Sequence, residues 1–268
     1  MTPENGARLV NGVRTHIDER GAGAPILCIH GAGSSTALWH DAVEKLARLG
    51  RVIAYDRRGC SRSERPPHYE RTSVSEHADD AAELLRVLDA APAVVIGRSY
   101  GGTVAMDLAI RYPELVRALA VLEGDAPREL APETAEWIDA VAERLGEVAE
   151  RAGVDAVGEA LIDEILGEGV WPHVPEQLRR VLTENGPAIL AELNGEWWLE
   201  AGADALAGLR QPVLLVTATD SRPELRRPSE ALAAVLPNAQ LVLVEGGHLI
   251  DPAAPEVLGF VREVLGRG

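Results

Sequence analysis

A serine flanked by glycines lies between an apolar run and a helix-forming stretch. The run Val94-Val95-Ile96 ends at Gly97, Ser99 follows, and Gly101 and Gly102 come next. This order of strand, tight turn and helix is typical of the Gly-x-Ser-x-Gly turn, which exposes a serine hydroxyl at the carboxyl end of a sheet. Residues without a Cβ let the strand and the helix pass close to the strained serine backbone. We therefore predict that Ser99 is a nucleophile.

A serine hydroxyl becomes a nucleophile at neutral pH when a nearby base accepts its proton. The chain has seven histidines, of which His248 follows Gly246-Gly247 and the apolar run at residues 241–244. A loop at that point lies at the carboxyl edge of the sheet, where Ser99 is also expected. We predict that His248 is the base. We expect no metal and no organic cofactor, because no histidines and acids have a convincing metal-ligand spacing.

Composition limits the classes of protein and of partner. The chain has 268 residues, of which 46% are hydrophobic, which suits one large α/β domain with an insertion or two small domains. The net charge of −16 argues against nucleic acid and anionic membranes as partners. The sequence has neither a basic-then-apolar leader nor an apolar run of membrane-spanning length, so we expect a cytoplasmic protein. We expect Cys28 in the core and Cys60 in an exposed loop, without a disulfide framework.

The elements that position Ser99 and His248 follow from alternating patterns. Residues 8–19 around Asn11-Gly12 predict a hairpin, and continuous apolar runs predict buried strands at 25–29, 51–55, 94–96, 116–122, 212–216 and 241–244. Helical spacing between these runs predicts right-handed crossovers and a mostly parallel sheet covered on both faces.

One segment breaks this alternation. Only helical patterns occur from residue 127 to residue 206, where 18 acidic residues and 5 basic residues are found. We predict a core domain formed by residues 1–126 and 207–268, with residues 127–206 as a helical cap, or lid, over it.

Four motifs in order along the whole chain resemble those of the α/β-hydrolase fold superfamily, and in particular of serine hydrolases with a helical cap domain. The motifs are His30-Gly31-Ala32-Gly33, Asp56-x-Arg58-Gly59-x-Ser61, Gly97-x-Ser99-x-Gly101-Gly102 and Gly246-Gly247-His248. The resemblance implies a mostly parallel eight-stranded sheet flanked by helices, with an all-helical cap inserted after the sixth strand. Because this fold hosts many chemistries, the motifs do not identify a substrate.

The resemblance also implies an oxyanion hole made of two main-chain N–H groups. The residue after the nucleophile supplies one of them, which is Tyr100 here. The residue after His30-Gly31 supplies the other, which is Ala32, with Gly33 as an alternative. Donors at these places would face the negative charge that develops on a carbonyl oxygen.

The acidic residue of the triad departs from the common pattern of the family. Most relatives carry the acid after the seventh strand, at a position that is Ser221 here, one residue beyond Asp220. The other place that this fold uses is the end of the sixth strand, which is Glu123-Gly124-Asp125. We favour Glu123, because a carboxylate that ends an apolar strand needs a partner and a histidine Nδ1–H would be one. Asp220 is the first alternative acid and Asp125 the second.

Two further features of the sequence concern the pocket. Arg98 stands where relatives usually carry histidine, and its guanidinium could pair with Glu123 or bind a substrate carboxylate; we favour the pairing. Four of the five tryptophans lie in the predicted cap, and caps commonly supply apolar pocket walls. The four are Trp137, Trp171, Trp197 and Trp198.

Together these residues predict a serine hydrolase in which Ser99, His248 and Glu123 cleave a small to medium apolar ester, lactone or related acyl compound through an acyl-enzyme. Two alternatives stay open. One is C–C bond hydrolysis, cyclisation or lyase chemistry in a biosynthetic pathway at the same site. The other is a ligand-binding protein with slow turnover. The expected partner is a small-molecule substrate, and the oligomeric state stays open, with a homodimer as one option.

Overall fold

An eight-stranded sheet forms the centre of the computed structural model, which describes residues 6–266. The strands are β1 (Gly6–Val10), β2 (Val13–Arg20), β3 (Pro25–Ile29), β4 (Arg51–Tyr55), β5 (Ala93–Arg98), β6 (Val116–Leu122), β7 (Val213–Ala218) and β8 (Ala239–Val244). Their order across the sheet is β1-β2-β4-β3-β5-β6-β7-β8. The strands β3 to β8 run parallel to one another, whereas β2 pairs antiparallel with β1 and β4. The predicted mostly parallel α/β fold is confirmed.

Helices cover both faces of this sheet. Within the described residues they are α1 (His40–Leu46), α2 (Val74–Val87), α3 (Tyr100–Arg111), α4 (Pro132–Ala152), α5 (Val157–Leu166), α6 (Glu176–Glu184), α7 (Gly186–Leu193), α8 (Ala203–Gly208), α9 (Pro223–Val235) and α10 (Pro255–Gly266). Side chains alternate between the two faces, so that Leu27 and Ile29 of β3 belong to one apolar cluster while Ile26 and Cys28 belong to the other. This alternation is why the central strands are continuous apolar runs in the sequence.

The helix α9 is longer than its sequence pattern predicts. We expect a helix near residues 230–236, whereas α9 begins at Pro223 and contains Pro228 in its interior. A proline there removes the N–H that would reach the carbonyl four residues earlier, and it therefore signals a helix break. In this fold the orphaned carbonyl of Glu224 accepts a hydrogen bond of 2.7 Å from the hydroxyl of Thr134 in α4. A tertiary contact thus replaces the helical bond that Pro228 cannot make.

The helices α4 to α8 are inserted between β6 and β7 and carry an apolar cluster of their own. This stretch contains the predicted cap, although α8 (Ala203–Gly208) runs across the predicted boundary at residue 206 and contacts α9 of the core. The division of the chain into domains stays a prediction. Within residues 6–266, none of the helices combines the length and the apolar character that a membrane span needs.

Two buried polar side chains join the inserted helices to loops at the carboxyl ends of the strands. Glu192 of α7 forms an ion pair of 2.7 Å with Arg57 after β4, and the two side chains are 1% and 0% exposed. Asn185 donates to the carbonyl oxygens of Gly33 and Ser34 at 3.0 Å each, and its own oxygen accepts from the N–H of Ser61 at 2.7 Å.

The expectation of an exposed Cys60 is wrong, since this residue is fully buried as a free thiol. Its sulfur lies 4.0 Å from a carboxyl oxygen of Glu192. The reason is that α7 covers the loop that follows β4. Burial raises the pKa of the Cys60 thiol to about 12, so it is protonated at neutral pH.

Replacing Glu192 by alanine leaves the Arg57 guanidinium buried without its carboxylate partner. We expect the free energy of unfolding, measured by urea denaturation, to fall by about 3–5 kcal/mol, as is typical when one member of a buried pair is removed. The matched control is Glu164→Ala, which breaks a pair with Arg144 whose side chains are 23% and 45% exposed. Glu164→Ala should lower the free energy of unfolding by less than about 1 kcal/mol. Equal losses of this free energy in the two variants would contradict the prediction.

Candidate active site

Ser99 lies in the turn between β5 and α3, with a backbone φ of 53° and ψ of −129°. Few residues with a side chain adopt a positive φ, so the backbone is strained here. The main-chain N–H of Ser99 donates a 2.8 Å hydrogen bond to the carbonyl of Leu122, which fixes the turn against β6. Glycine is required on either side of Ser99, because neighbouring backbone segments approach too closely to leave room for a Cβ. A Cβ on Gly97 would lie 2.2 Å from the carbonyl oxygen of Gly101, and one on Gly101 would lie 2.3 Å from that of Ile29.

His248 and Glu123 are joined by a short hydrogen bond although they are far apart in the sequence. The Nδ1 of His248 lies 2.6 Å from Oε2 of Glu123, and their side chains are 3% and 0% exposed. His248 follows β8 and Glu123 follows β6, so both residues are at the carboxyl ends of strands. Because Nδ1 donates to the carboxylate, Nε2 is left as the proton acceptor of the ring.

Three further donors hold the Glu123 carboxylate. Its Oε1 accepts from the hydroxyl of Thr217 at 2.7 Å and from the N–H of Ala218 at 2.9 Å, and its Oε2 accepts from the hydroxyl of Ser221 at 2.9 Å. Burial raises the pKa of Glu123, but the hydrogen bond and charge of His248 and these other donors outweigh burial, and the net pKa is lowered. The carboxylate is therefore ionised at neutral pH.

Ser99 and His248 line the same two cavities, which meet at the carboxyl edge of the sheet. Within the described part of the chain, the Nε2 of His248 is buried and forms no hydrogen bond. It therefore has free capacity to accept a proton from a hydroxyl in the cavity. Bonds between a catalytic hydroxyl and its base are commonly loose in an unliganded site and tighten when substrate binds.

Ala32 and Tyr100, the two predicted oxyanion donors, line a cavity together with Ser99. Tyr100 is the first residue of α3, and the N–H at such a position has no acceptor within its helix. Ala32 lies in the loop after β3 and lines both cavities with Ser99. The loop is pressed against the serine, since a Cβ on Gly31 would lie 3.2 Å from the Cβ of Ser99. The structure thus brings both predicted donor residues to Ser99.

Neither of the other two acid candidates is hydrogen-bonded to His248 in the part of the chain that the structure describes. Asp220 is exposed, and its carboxylate accepts from the hydroxyl of Thr219 at 3.0 Å rather than from His248. Asp125 lies beside Thr103, with its Oδ2 3.4 Å from the threonine hydroxyl. The structure therefore brings Glu123, and neither of these alternatives, to the histidine.

The favoured pairing of Arg98 with Glu123 is wrong. A guanidinium nitrogen of Arg98 donates to the carbonyl of Ile250 at 3.3 Å, and the group lies 5.8 Å from the ring centre of Trp39. Burial lowers the pKa of Arg98 to about 10, which leaves it charged at neutral pH. The carboxylate of Glu123 already accepts four hydrogen bonds, from His248 among others, and a further cation has no place there.

Comparison with known proteins agrees with this geometry. A family model described as "alpha/beta hydrolase fold" matches residues 24–153. The putative carbamate hydrolase RutD of Azorhizobium caulinodans is 30% identical over 262 residues, which cover 91% of this chain and 93% of that protein. The chain belongs to the α/β-hydrolase fold family. It is an α/β hydrolase.

Other matches to this hydrolase are more local or more distant. The 2-hydroxymuconate semialdehyde hydrolase of a Pseudomonas species is 40% identical over 131 residues, which is 47% of this chain and 45% of that protein. The chain thus spans less than half the length of some curated relatives that it matches. Among solved structures, a thermophilic esterase from Thermogutta terrifontis with malate bound has a TM-score of 0.72 and 28% identity, and the alignment covers 95% of this chain and 94% of that one.

The walls of the cavities of the hydrolase are mainly apolar and come from the inserted helices. Leu161 and Ile165 of α5 line both cavities. Trp137 and Trp197 line the second of them, so two of the four tryptophans of the predicted cap reach the site. Among residues 6–266 no group of three or more histidines, cysteines and acids is arranged to hold a metal ion.

Arg57, which is not among the predicted site residues, organises the loop after β3. Its Nε donates to the carbonyl of His30 at 3.0 Å and one terminal nitrogen donates to that of Gly31 at 2.9 Å. The guanidinium also lies 4.8 Å from the ring centre of Tyr100. Arg57 therefore contacts residues on both sides of the predicted hole. The sequence offered one signal for Arg57, its place in the Asp56-x-Arg58 motif. Its role was not predicted, because the residues that it contacts are distant in the sequence.

His30 has a structural role in the same loop. Its Nε2 accepts from the N–H of Arg57 at 2.9 Å, so its Nδ1 carries the proton and donates to the carbonyl of Gly31 at 2.9 Å. Burial and the charge of Arg57 lower the pKa of His30 well below its usual value, which keeps the ring neutral. Both ring nitrogens of His30 are thus occupied by hydrogen bonds within and beside the loop.

Replacing Glu123 by glutamine keeps the shape of the side chain but removes the charge beside His248. We expect kcat/KM for a chromogenic ester to fall by about 10⁴, because an amide at this place no longer stabilises the imidazolium and favours the wrong tautomer. The matched control is Asp220→Asn, which should stay within about twofold of the wild type. A loss in Asp220→Asn that equals that in Glu123→Gln would assign the acid to Asp220.

Proposed function

We propose that this chain is a serine hydrolase of carboxylic esters in which Ser99, His248 and Glu123 form a catalytic triad. The observation that carries the proposal is the buried 2.6 Å hydrogen bond between His248 and Glu123. It leaves the unbonded Nε2 of the histidine at the cavity that Ser99 lines. A base oriented in this way beside a strained serine is the arrangement that acyl transfer needs.

The reaction proceeds in two halves. Ser99 Oγ attacks the carbonyl carbon of the ester while His248 Nε2 takes the hydroxyl proton, and the N–H groups of Ala32 and Tyr100 bind the oxyanion. Collapse of the intermediate breaks the C–O bond, and His248 returns the proton to the leaving alkoxide. A water molecule then attacks the acyl-enzyme with His248 again as the base, which releases the carboxylic acid and restores Ser99. The mechanism uses no metal and no organic cofactor.

The substrate is a small to medium apolar ester, lactone or related acyl compound. Supporting this class, apolar side chains of the inserted helices form most of the walls beside Ser99, and such walls favour apolar groups through burial of their surface. The names of similar proteins include an esterase and a carbamate hydrolase, both of which cleave a bond to a carbonyl carbon.

Hydrolysis of a C–C bond is the second candidate. It is favoured by the local similarity to a 2-hydroxymuconate semialdehyde hydrolase, which matches 47% of this chain. The same triad would serve this reaction, with a carbon leaving group in place of the alkoxide. Product analysis in ¹⁸O-labelled water separates hydrolysis, which places the label in the acid, from cyclisation or lyase chemistry, which does not.

A fluorophosphonate probe tests the nucleophile directly. We expect the wild-type protein to be labelled at Ser99, because an activated serine hydroxyl displaces fluoride from the probe and becomes phosphonylated. Ser99→Ala should abolish labelling and ester hydrolysis, with heat-denatured wild-type protein as the control for unspecific reaction. Mass spectrometry of the labelled peptide identifies the residue. Labelling that persists in Ser99→Ala would exclude Ser99 as the nucleophile.

A series of p-nitrophenyl esters from acetate to dodecanoate tests the substrate class. We expect kcat/KM to be highest for short to medium chains and to fall for the longest ones, because inserted helices close the cavity. Trp137→Ala should move the optimum toward longer chains, since this side chain is part of the wall. Trp171→Ala is the matched control, because Trp171 lies outside that wall. A flat profile in the wild type would contradict a closed acyl pocket.

A further inference from the structure

One acidic side chain lies in the apolar cavity beside Ser99. Asp125 lines that cavity together with Trp137 and Trp197. Its main-chain N–H donates to the hydroxyl oxygen of Thr103 at 2.9 Å, and that hydroxyl lies 3.4 Å from Oδ2. In the part of the chain that the structure describes, Oδ1 has no hydrogen-bond donor and no basic side chain forms an ion pair with the group. The carboxyl group thus lacks a protein partner of opposite charge.

Asp125 is partly buried, and two fully buried acids of this protein differ from it because each has a partner of its own. Glu123 accepts from His248, and Glu192 is paired with Arg57. A carboxylate in apolar surroundings is unfavourable without such a partner. Burial raises the pKa of Asp125 to about 7, although the hydrogen bond from Thr103 acts to lower it. An unpaired acid at a ligand cavity therefore points to a partner that the ligand itself supplies.

The charges and the aromatic groups around the cavity indicate that this group of the ligand is positively charged. Among residues 6–266 no lysine or arginine lines this cavity, although Arg98 lines the adjoining one, and residues 127–206 carry 18 acidic and 5 basic side chains. A field of this sign raises the local concentration of cations. Trp137 and Trp197 offer aromatic faces, to which ammonium groups are attracted. The guanidinium groups that already stack on these rings, those of Arg222 and Arg128, have carboxylate partners of their own.

We propose that Asp125 is a specificity-determining residue that binds a protonated amine of the substrate. The acyl compound that the site takes then has a short apolar part and an ammonium group at its end. The ammonium N–H groups donate charge-assisted hydrogen bonds to the Asp125 carboxylate, while the apolar part contacts the walls of the cavity. This inference rests on the proposed function in one respect, because it takes the cavity at Ser99 as the substrate site.

Binding of n-butylammonium chloride and of 1-butanol to the intact protein tests the proposal. The two probes share the same chain and differ in charge, and isothermal titration calorimetry gives their dissociation constants without any turnover. We expect butylammonium to bind at least about tenfold more tightly than 1-butanol, because a hydrogen bond between charged groups contributes a free energy of this size. Asp125→Asn keeps the shape of the side chain and should abolish this preference. Asp155→Asn, an exposed acid of the same acidic segment, should retain it.

Three results would overturn the proposal: equal affinity of the wild type for the two probes, binding of neither probe, or a preference that persists in Asp125→Asn. The first of these needs no variant, so the test holds even where a substitution impairs folding. Fluorophosphonate labelling of the same preparation separates the two proposals. A labelled Ser99 without the ammonium preference leaves the hydrolase intact and removes the role of Asp125. The preference without labelling supports Asp125 and contradicts the nucleophile.

Discussion

A single buried carboxylate, that of Glu123, fixes the arrangement of the site. Its two oxygens accept four hydrogen bonds, from His248, Thr217, Ala218 and Ser221, which belong to the loops after β7 and β8 and to the end of β7 itself. The free energy that is needed to bury a carboxylate is offset only when all of these donors are in place. The position of the imidazole is therefore coupled to the correct pairing of β6, β7 and β8 rather than to its own loop alone.

A second buried charge couples the loop after β3 to the inserted helices. Arg57 holds the carbonyl groups of His30 and Gly31 and is neutralised by Glu192 of α7. A guanidinium at this depth is tolerated only with its carboxylate present. The loop that carries Ala32 is thus supported by a helix of the insertion, and the same insertion forms the pocket walls. The conformation of this loop and the walls of the cavity beside Ser99 consequently depend on one packed unit.

Local patterns were sufficient to predict the sheet and the glycine-flanked serine, because β-branched runs and close-packed glycines are encoded by neighbouring residues. Glu123 was also accessible to sequence reasoning, since an acid that ends an apolar strand implies a partner. Contacts between distant segments were not accessible. The proline inside α9 concealed the start of that helix because Thr134 supplies the missing bond from another helix, and the burial of Cys60 depends on Glu192 and its helix.

The pairing of His248 with Glu123, at the end of β6, has a simple geometric explanation. The strands β6 and β7 are paired neighbours, with Leu122 opposite Val216, so their carboxyl ends deliver side chains to the same side of His248. An acid that extends from either end can reach the Nδ1–H group. Ser221, which stands at the acid position that is common in the family, supplies no carboxylate and instead donates a hydrogen bond to Glu123. The histidine needs a carboxylate oxygen beside its Nδ1–H group, and either strand can supply it. For this reason the motif alone could not decide between Glu123 and Asp220.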